Sequence, residues 1–404
     1  MKKLGITHRA IILFICLITL SGYSQSGDSV AKVLVDMGFE NVSWIEDDEE
    51  RVFVFENTPY RLNGVGVGKA IDLIQESGLP INKSCRVIVL ENNVPQISLN
   101  YQPVVADSTM NVLRQDWNVT YDLGNSWKKV QKAKKENSSL YKVDIVVYPE
   151  LHFRNYKLSR IYDVVFNLSP SIEISLWPGM KLAGQIVFPI VNDYGSKYEQ
   201  IRPGFVTLSQ TVRLPKCTFL TATMGTFNNF RGGFDVEIKH YLKDERFSIQ
   251  AHLGYTRAGE YDNWAYYHDK KWTLTASLGA NFYWPEYNTQ FKIRGERYIR
   301  EEYGVTGEMF RHFRHTSIGF YLSLVEHAGN NGLNGGFVFQ IAIPPYKQKR
   351  KGYFPRVMMG DFGLKYNAGN EEVYGKKYRS RADKNDLRDN DYNPYFIKSE
   401  LLNF

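Results

Sequence analysis

The sequence predicts a mainly β protein: an outer-membrane antiparallel β-barrel of roughly 12–16 strands, preceded by a small periplasmic α/β domain. Three observations predict it. The N-terminus reads as an export signal, the C-terminal two thirds is a run of alternating segments, and aromatics reach 14% of the chain. The Trp272–Trp284 segment carries the clearest pattern. Trp272, Leu274, Ala276, Leu278, Ala280, Phe282 and Trp284 fall on one face, and Thr273, Thr275, Ser277, Gly279, Asn281 and Tyr283 on the other. A strand sends successive side chains to opposite sides, so this segment has one oily and one polar face. Its length, its terminal aromatics and its repetition along the chain point to lipid outside and a polar lumen inside.

In the leader, Lys2, Lys3 and Arg9 form a basic part and Ala10 to Leu20 an apolar run, too short to span a bilayer comfortably. The small residues Gly22 and Ser24 predict cleavage between Ser24 and Gln25. Ile15 stands before Cys16 where lipid attachment needs a small residue, so no lipid anchor is expected. No later segment approaches the ~20 apolar residues of a membrane helix, and only helices and closed barrels satisfy the backbone in lipid. Cys85 and Cys217 show no metal-ligand spacing, and neither metal nor cofactor is expected. The formal net charge is +7. The expected partners are outer-membrane lipid and polysaccharide rather than nucleic acid.

The domains read as residues 1–24 signal, 25–102 a small α/β domain, 103–140 a polar connector and 141–404 the barrel. Within 25–102, helices are expected at Ser29–Met37 and Gly68–Glu76. Strands are expected at Val42–Ile45 and Val52–Phe55 around an acidic turn, then at Arg86–Leu90 and Gln96–Tyr101 around Asn92-Asn93. The Lys-rich stretch Trp127–Glu136 reads as a short exposed helix. The barrel strands are Val143–Tyr148, Lys181–Phe188, Phe205–Leu214, Phe219–Thr226, Asp235–Leu242, Arg246–Tyr255, Trp272–Trp284, Gln290–Arg297, Tyr303–Phe310, Ser317–Val325, Gly336–Ile343 and Val357–Lys365. Tyr395–Phe404 reads as an aromatic-ended closing strand.

Several stretches together resemble the YjbH-like family of outer-membrane proteins linked to exopolysaccharide biosynthesis and export, which includes group-4-capsule proteins. They are Met37 to Val42, Val54 to Asn57 with Tyr60-Arg61, Gly225 with Arg231-Gly232-Gly233, Gly295 to Ile299, Tyr303 to Thr306, Arg311 to Phe313, and Gly335-Gly336-Phe337 with Ile341, Ile343 and Pro344. The chain is much shorter than typical members. The resemblance implies a non-enzymatic barrel component of a capsule or exopolysaccharide secretion locus, working with other secretion proteins.

No catalytic motif is expected to act. Gly64-Val65-Gly66-Val67-Gly68-Lys69 lacks the Walker spacing and reads as a flexible turn before the next helix. His315 and Ser317, with Glu326 as orienting acid, form the one nucleophile–base pair the sequence offers. They carry the alternative of an outer-membrane enzyme acting on lipid A or glycan; a periplasmic glycan-binding β-protein is a further alternative. Arg231, Glu296, Arg297 and Glu301 are the candidate lumen or rim contacts for polymer. The charge cluster that Glu296, Arg297 and Glu301 form with Arg300 and Glu302 reads more readily as an internal salt-bridge ladder or a solvated turn. The basic runs Lys347–Lys351 and Lys376–Arg381 read as solvated loops or as sites for acidic sugars or phosphates.

Overall fold

The computed structural model describes residues 27–76, 79–80, 83–103, 113–157, 160–262, 264–327, 330–341, 350, 352–358, 363–368, 375–384 and 391–402. The expected signal and its cleavage point at Ser24 and Gln25, most of the run Lys347–Lys351, and Phe404 lie outside them. Two sheets organise the chain, one of five strands and one of fourteen.

The five-stranded sheet has the order β1 (Glu40–Glu46), β2 (Glu50–Glu56), β3 (Ser84–Glu91), β4 (Val94–Tyr101), β5 (Asn118–Thr120). The helix α1 (Gly27–Met37) buries Val30, Ala31 and Leu34. It ends where Gly38 takes φ 103°, with Gly38 N–H donating to Val35 O and Phe39 N–H to Leu34 O. That paired closure needs a left-handed residue, which glycine adopts without strain. In the acidic turn, Asp47 Oδ1 accepts from the amides of Glu49 and Glu50, each at 2.9 Å. Asn92 and Asn93 both take positive φ, as a two-residue hairpin requires. One face of the sheet packs α1 and α2 (Asn63–Glu76) over Phe53, Phe55, Val87 and Leu99. The other packs Leu123 and Val130 over Val52, Val54 and Ile88.

Residues 103–140 are therefore more than a connector. Beyond β5 they supply the short helix α3 (Ser126–Val130) and bury Trp117 and Tyr121 in the core. The expected helix to Glu136 stops at Val130. Asn137 then joins the end of the stretch to β1, its Oδ1 accepting from Val42 N–H and its Nδ2 donating to Phe39 O.

The large sheet begins with β6 (Val143–Lys157), β7 (Arg160–Trp177), β8 (Met180–Asn192), β9 (Arg202–Leu214) and β10 (Thr218–Phe227). It continues through β11 (Arg231–Tyr241), β12 (Phe247–Asp262), β13 (Ala265–Trp284), β14 (Thr289–Arg297), β15 (Tyr303–His312), β16 (Thr316–His327) and β17 (Asn330–Ile341). These twelve are antiparallel neighbours in chain order, flanked by β18 (Arg356–Val357) beside β6 and β19 (Gly363–Asn367) beside β17. The expected strand Val357–Lys365 is divided between β18 and β19. The sequence reading passes over β7, which Pro170 interrupts; proline argues against a strand interior.

The polarity of this sheet is inverted relative to a water-soluble protein. Leu278 and Ile293 are 64% and 59% exposed, whereas Thr275 and Lys292 on the opposite face are 4% and 3% exposed. Val206, Met224, Phe234, Leu253, Val305 and Leu322 extend the exposed apolar face; Ser209, Thr223, Asp235, Gln250 and Thr306 extend the buried polar one. Water would penalise such an apolar surface, and a bilayer would solvate it. Exposed Trp177, Trp284 and Tyr287 lie toward one end of the sheet, and Tyr255, Trp264, Tyr267 and Tyr303 toward the other. The twelve residue steps from Trp272 to Trp284, at about 3.3 Å each and a tilt of about 40°, span about 30 Å, a hydrocarbon thickness. The sheet is that of an outer-membrane β-protein.

The sheet is rolled. Laid flat, β6 and β14 would stand about 38 Å apart at ~4.8 Å per step. Yet Arg379 reaches Glu150 on β6 and Lys377, two residues away, reaches Glu296 on β14. β19 also comes to lie beside β6. The expected closed barrel is corrected in one respect. Among the described residues no hydrogen-bonded ladder joins β19 to β6, and β6 pairs there only with β18, in parallel.

The expected closing strand Tyr395–Phe404 is instead the helix α4 (Pro394–Leu402). Asn393 Oδ1 accepts from the amides of Tyr395 and Phe396, and Pro394 takes the first helical position, where a missing N–H costs nothing. Ile397 and Leu401 enter the core of the five-stranded unit. Gly64, Gly66 and Gly68 lie within α2 rather than in a flexible turn. A Cβ on Gly64 would sit 2.2 Å from Glu400 Cβ, so glycine here lets α4 approach.

Candidate functional site

Residues 375–384 run through the polar interior of the rolled sheet, and we call them the strap. Its upper end lies at the mouth far from the five-stranded unit. There Gly375 N–H donates to Glu302 at 3.0 Å, Ile299 N–H to Lys376 O, and Arg379 N–H to Asn228 Oδ1 at 2.6 Å. Side chains hold it along its length. Lys377 Nζ is 2.6 Å from Glu296, Tyr378 OH donates to Asp235 at 2.8 Å, Arg379 is 3.5 Å from Glu150, and Lys384 Nζ is 2.6 Å from Glu237. Asp383 accepts from Lys181, which also pairs with Glu173, both at 2.9 Å. Below it, Asn393 Nδ2 donates to Glu245 O at the near mouth, and α4 follows.

The five-stranded unit sits on that near mouth. Gly179 N–H donates to Asn92 O, Arg213 to Pro95 O and Gln96 O, and Glu245 accepts from Thr120 and Tyr121. Arg350 and Arg356 pair with Asp144 on β6; Arg350 also pairs with Glu40, and Arg356 donates to Thr58 O.

The predicted polymer contacts divide between places. Glu296 faces the interior, also accepting from Tyr298 OH at 3.0 Å. Arg231 is buried and donates to Thr256 Oγ1 at 2.8 Å. Arg297 lies on the outer face beside the Tyr303 ring, and Glu301 pairs at the far rim with Lys271 at 3.1 Å. The run Lys376–Arg381 is neither a solvated loop nor a free anion site. It is most of the strap, and the carboxylates that Lys377 and Arg379 meet, on β14 and β6, come from strands too distant in sequence for any local pattern to reveal.

The predicted partner of His315, Ser317, has a different histidine as its partner across the hairpin. Ser317 Oγ lies 2.8 Å from His312 Nδ1, because His312 and Ser317 are partners in the β15–β16 register. Both are buried under the ring of Phe396, and Glu326 pairs with Tyr303 toward the opposite end of β16. A second acid–base contact lies in the interior: His252 Nε2 is 2.5 Å from Asp235 Oδ2, the carboxylate that Tyr378 also reaches. No group of His, Cys, Asp and Glu among the described residues is arranged to hold a metal.

No family model and no curated protein matches the chain. Among solved structures it is similar to a loop L8 deletion mutant of OmpT, an outer membrane protein of Vibrio cholerae. The identity is 6% and the TM-score 0.30, covering 49% of this chain and 87% of that one. In-vitro folded OmpT gives 7% identity and TM-score 0.28, over 49% and 79%. The outer-membrane assignment rests on the inverted sheet itself. The expectation of a chain without enzymatic activity is corrected: the interior holds His252 and Asp235 in direct contact, an acid–base arrangement that the sequence did not reveal.

Proposed function

We propose that this chain closes into an outer-membrane barrel that passes or holds a hydrophilic surface polymer, the exopolysaccharide that the YjbH-like resemblance implies. The five-stranded unit stands in the periplasm and the strap occupies the polymer path at rest. One observation carries this reading: a segment outside helix and strand lies in the polar interior, held to strands β6, β8, β11 and β14 by side-chain contacts. A path that accommodates one polymer chain can accommodate another. Deletion of the gene is expected to lower surface polysaccharide per cell, with restoration by the full-length chain. Normal polysaccharide in a deletion strain without a second gene copy refutes it.

A second reading is an enzyme acting on lipid or glycan, favoured by the contact of His252 with Asp235. Histidine oriented by a carboxylate is a common general base. A His252→Ala protein that assembles fully yet changes lipid A acylation or glycan length in mass spectra selects this reading. Unchanged spectra dismiss it.

A further inference from the structure

We propose that the interior path is a binding site for an amine-bearing glycan, and that the strap occupies it as an internal stand-in for that ligand. This rests on the polymer reading above. Three neighbouring stations each join a carboxylate to an aromatic face. Lys377 Nζ lies 2.6 Å from Glu296 and 5.6 Å from the Tyr298 ring centre. Tyr378 donates to Asp235 while its ring stacks on Phe227 at 5.4 Å and 4°. Arg379 lies 3.5 Å from Glu150 and 5.8 Å from the Phe205 ring centre. A fourth carboxylate, Glu237, takes Lys384. The carboxylates that the strap meets stand on three different strands, β14, β11 and β6, so the contacts line several walls of the interior, as an oligomer rather than a single sugar would need.

The chemistry of the occupant follows from what remains when the strap leaves. Several interior cations keep partners on the sheet: Arg294 holds Glu308 at 2.6 Å and stands 3.9 Å from Glu296, Lys181 holds Glu173, and Arg231 holds Thr256. Lys239 and Lys292 lie over the rings of Tyr241 and Phe310. The carboxylates Glu296, Glu150 and Glu237 each lose the strap cation that meets them, and Glu296 keeps Arg294 at the longer distance of 3.9 Å. An ammonium on each sugar restores the charge-assisted contact, and the flat face of the ring covers the exposed aromatic. An acidic polymer would bring like charge to the same positions.

The test uses the full-length chain carrying Lys377→Gln, Arg379→Gln and Lys384→Gln, reconstituted in planar bilayers. The expected result is a cation-preferring conductance above wild type that a glucosamine hexamer blocks. The N-acetylglucosamine hexamer and the galacturonate hexamer leave it open. Adding Glu150→Gln and Glu296→Gln abolishes the block while conductance persists. Equal or stronger block by either of those two hexamers, or block that survives the added substitutions, overturns the proposal. Stronger block by hexalysine overturns it in favour of a basic peptide. If the triple variant does not assemble, hydrogen exchange of residues 375–384 in the wild-type chain decides. Faster exchange with the glucosamine hexamer alone supports the site, and unchanged exchange at saturating hexamer overturns it. The polymer-passage reading fails separately, through normal surface polysaccharide in the deletion strain.

Discussion

Substituting Leu278 by arginine tests the direction in which the large sheet faces its solvent. Leu278 lies within β13 on the apolar face and is 64% exposed, more than its neighbours Leu274 and Trp284. In water that exposure makes the position permissive, and arginine would change stability by less than about 0.5 kcal/mol. In lipid the same exposure places a guanidinium in hydrocarbon, at a cost of about 2–4 kcal/mol near the midplane. At about 1.4 kcal/mol per tenfold, the folded-to-unfolded ratio falls roughly 30- to 700-fold. The companion substitution Ser277→Arg points inward, where Ser277 stands between His252 and Glu296 in the register. There it meets a carboxylate, and the cost is expected to be smaller. The assay is urea titration of both variants folded into lipid vesicles, read by heat-modifiable mobility. Leu278→Arg at wild-type stability, or a greater loss for Ser277→Arg, refutes the assignment of faces.

Two further outcomes concern the five-stranded unit. Gly64→Ala places a methyl 2.2 Å from Glu400 Cβ and is expected to cost about 1–3 kcal/mol through displacement of α4, seen as faster proteolysis of the C-terminus. Gly68→Ala, whose methyl would meet Arg114 at 3.4 Å, is expected to be neutral or to gain up to about 1 kcal/mol of helix propensity. Asp47 has its carboxyl held down to about 2, first by the hydrogen bond from Lys129 and then by the Glu50 and Glu49 amides. A depressed value stabilises the folded state above the ordinary carboxylate value and loses that contribution as pH falls toward 2. The gap in urea midpoint between wild type and Asp47→Ala is therefore expected to be constant from pH 7 to pH 5 and to close below pH 4. It stays below about 1 kcal/mol, because the pair faces solvent. A gap that widens on acidification refutes the pairing.

The strap and α4 join the two sheets through one stretch of chain. Phe396 packs against Tyr283 and His312 at the near mouth, while Ile397 and Leu401 lie in the core of the small unit.

What the sequence determined by itself is what period-two alternation can carry. Leu278 outward and Ser277 inward follow from the pleat alone, and so do most strands between β8 and β17, because each strand's two faces meet different solvents. The hairpin at Asn92-Asn93 was legible for a similarly local reason, in residues that tolerate positive φ. β7 alternates as cleanly as β13, with Asp163, Asn167, Ser169 and Glu173 inward, but Pro170 masks it as a strand. α4 carried a readable signal in Asn393-Pro394, which the terminal aromatics overrode. The strap carried none. Lys376–Arg381 has the composition of a solvated loop, and Lys377 and Arg379 meet carboxylates only because the sheet rolls around them. Ser317 meets His312 because the hairpin register decides it, and register is a property of two strands at once. Alternation is written residue by residue, whereas closure, register and the meeting of distant charges depend on how far the whole sheet curls.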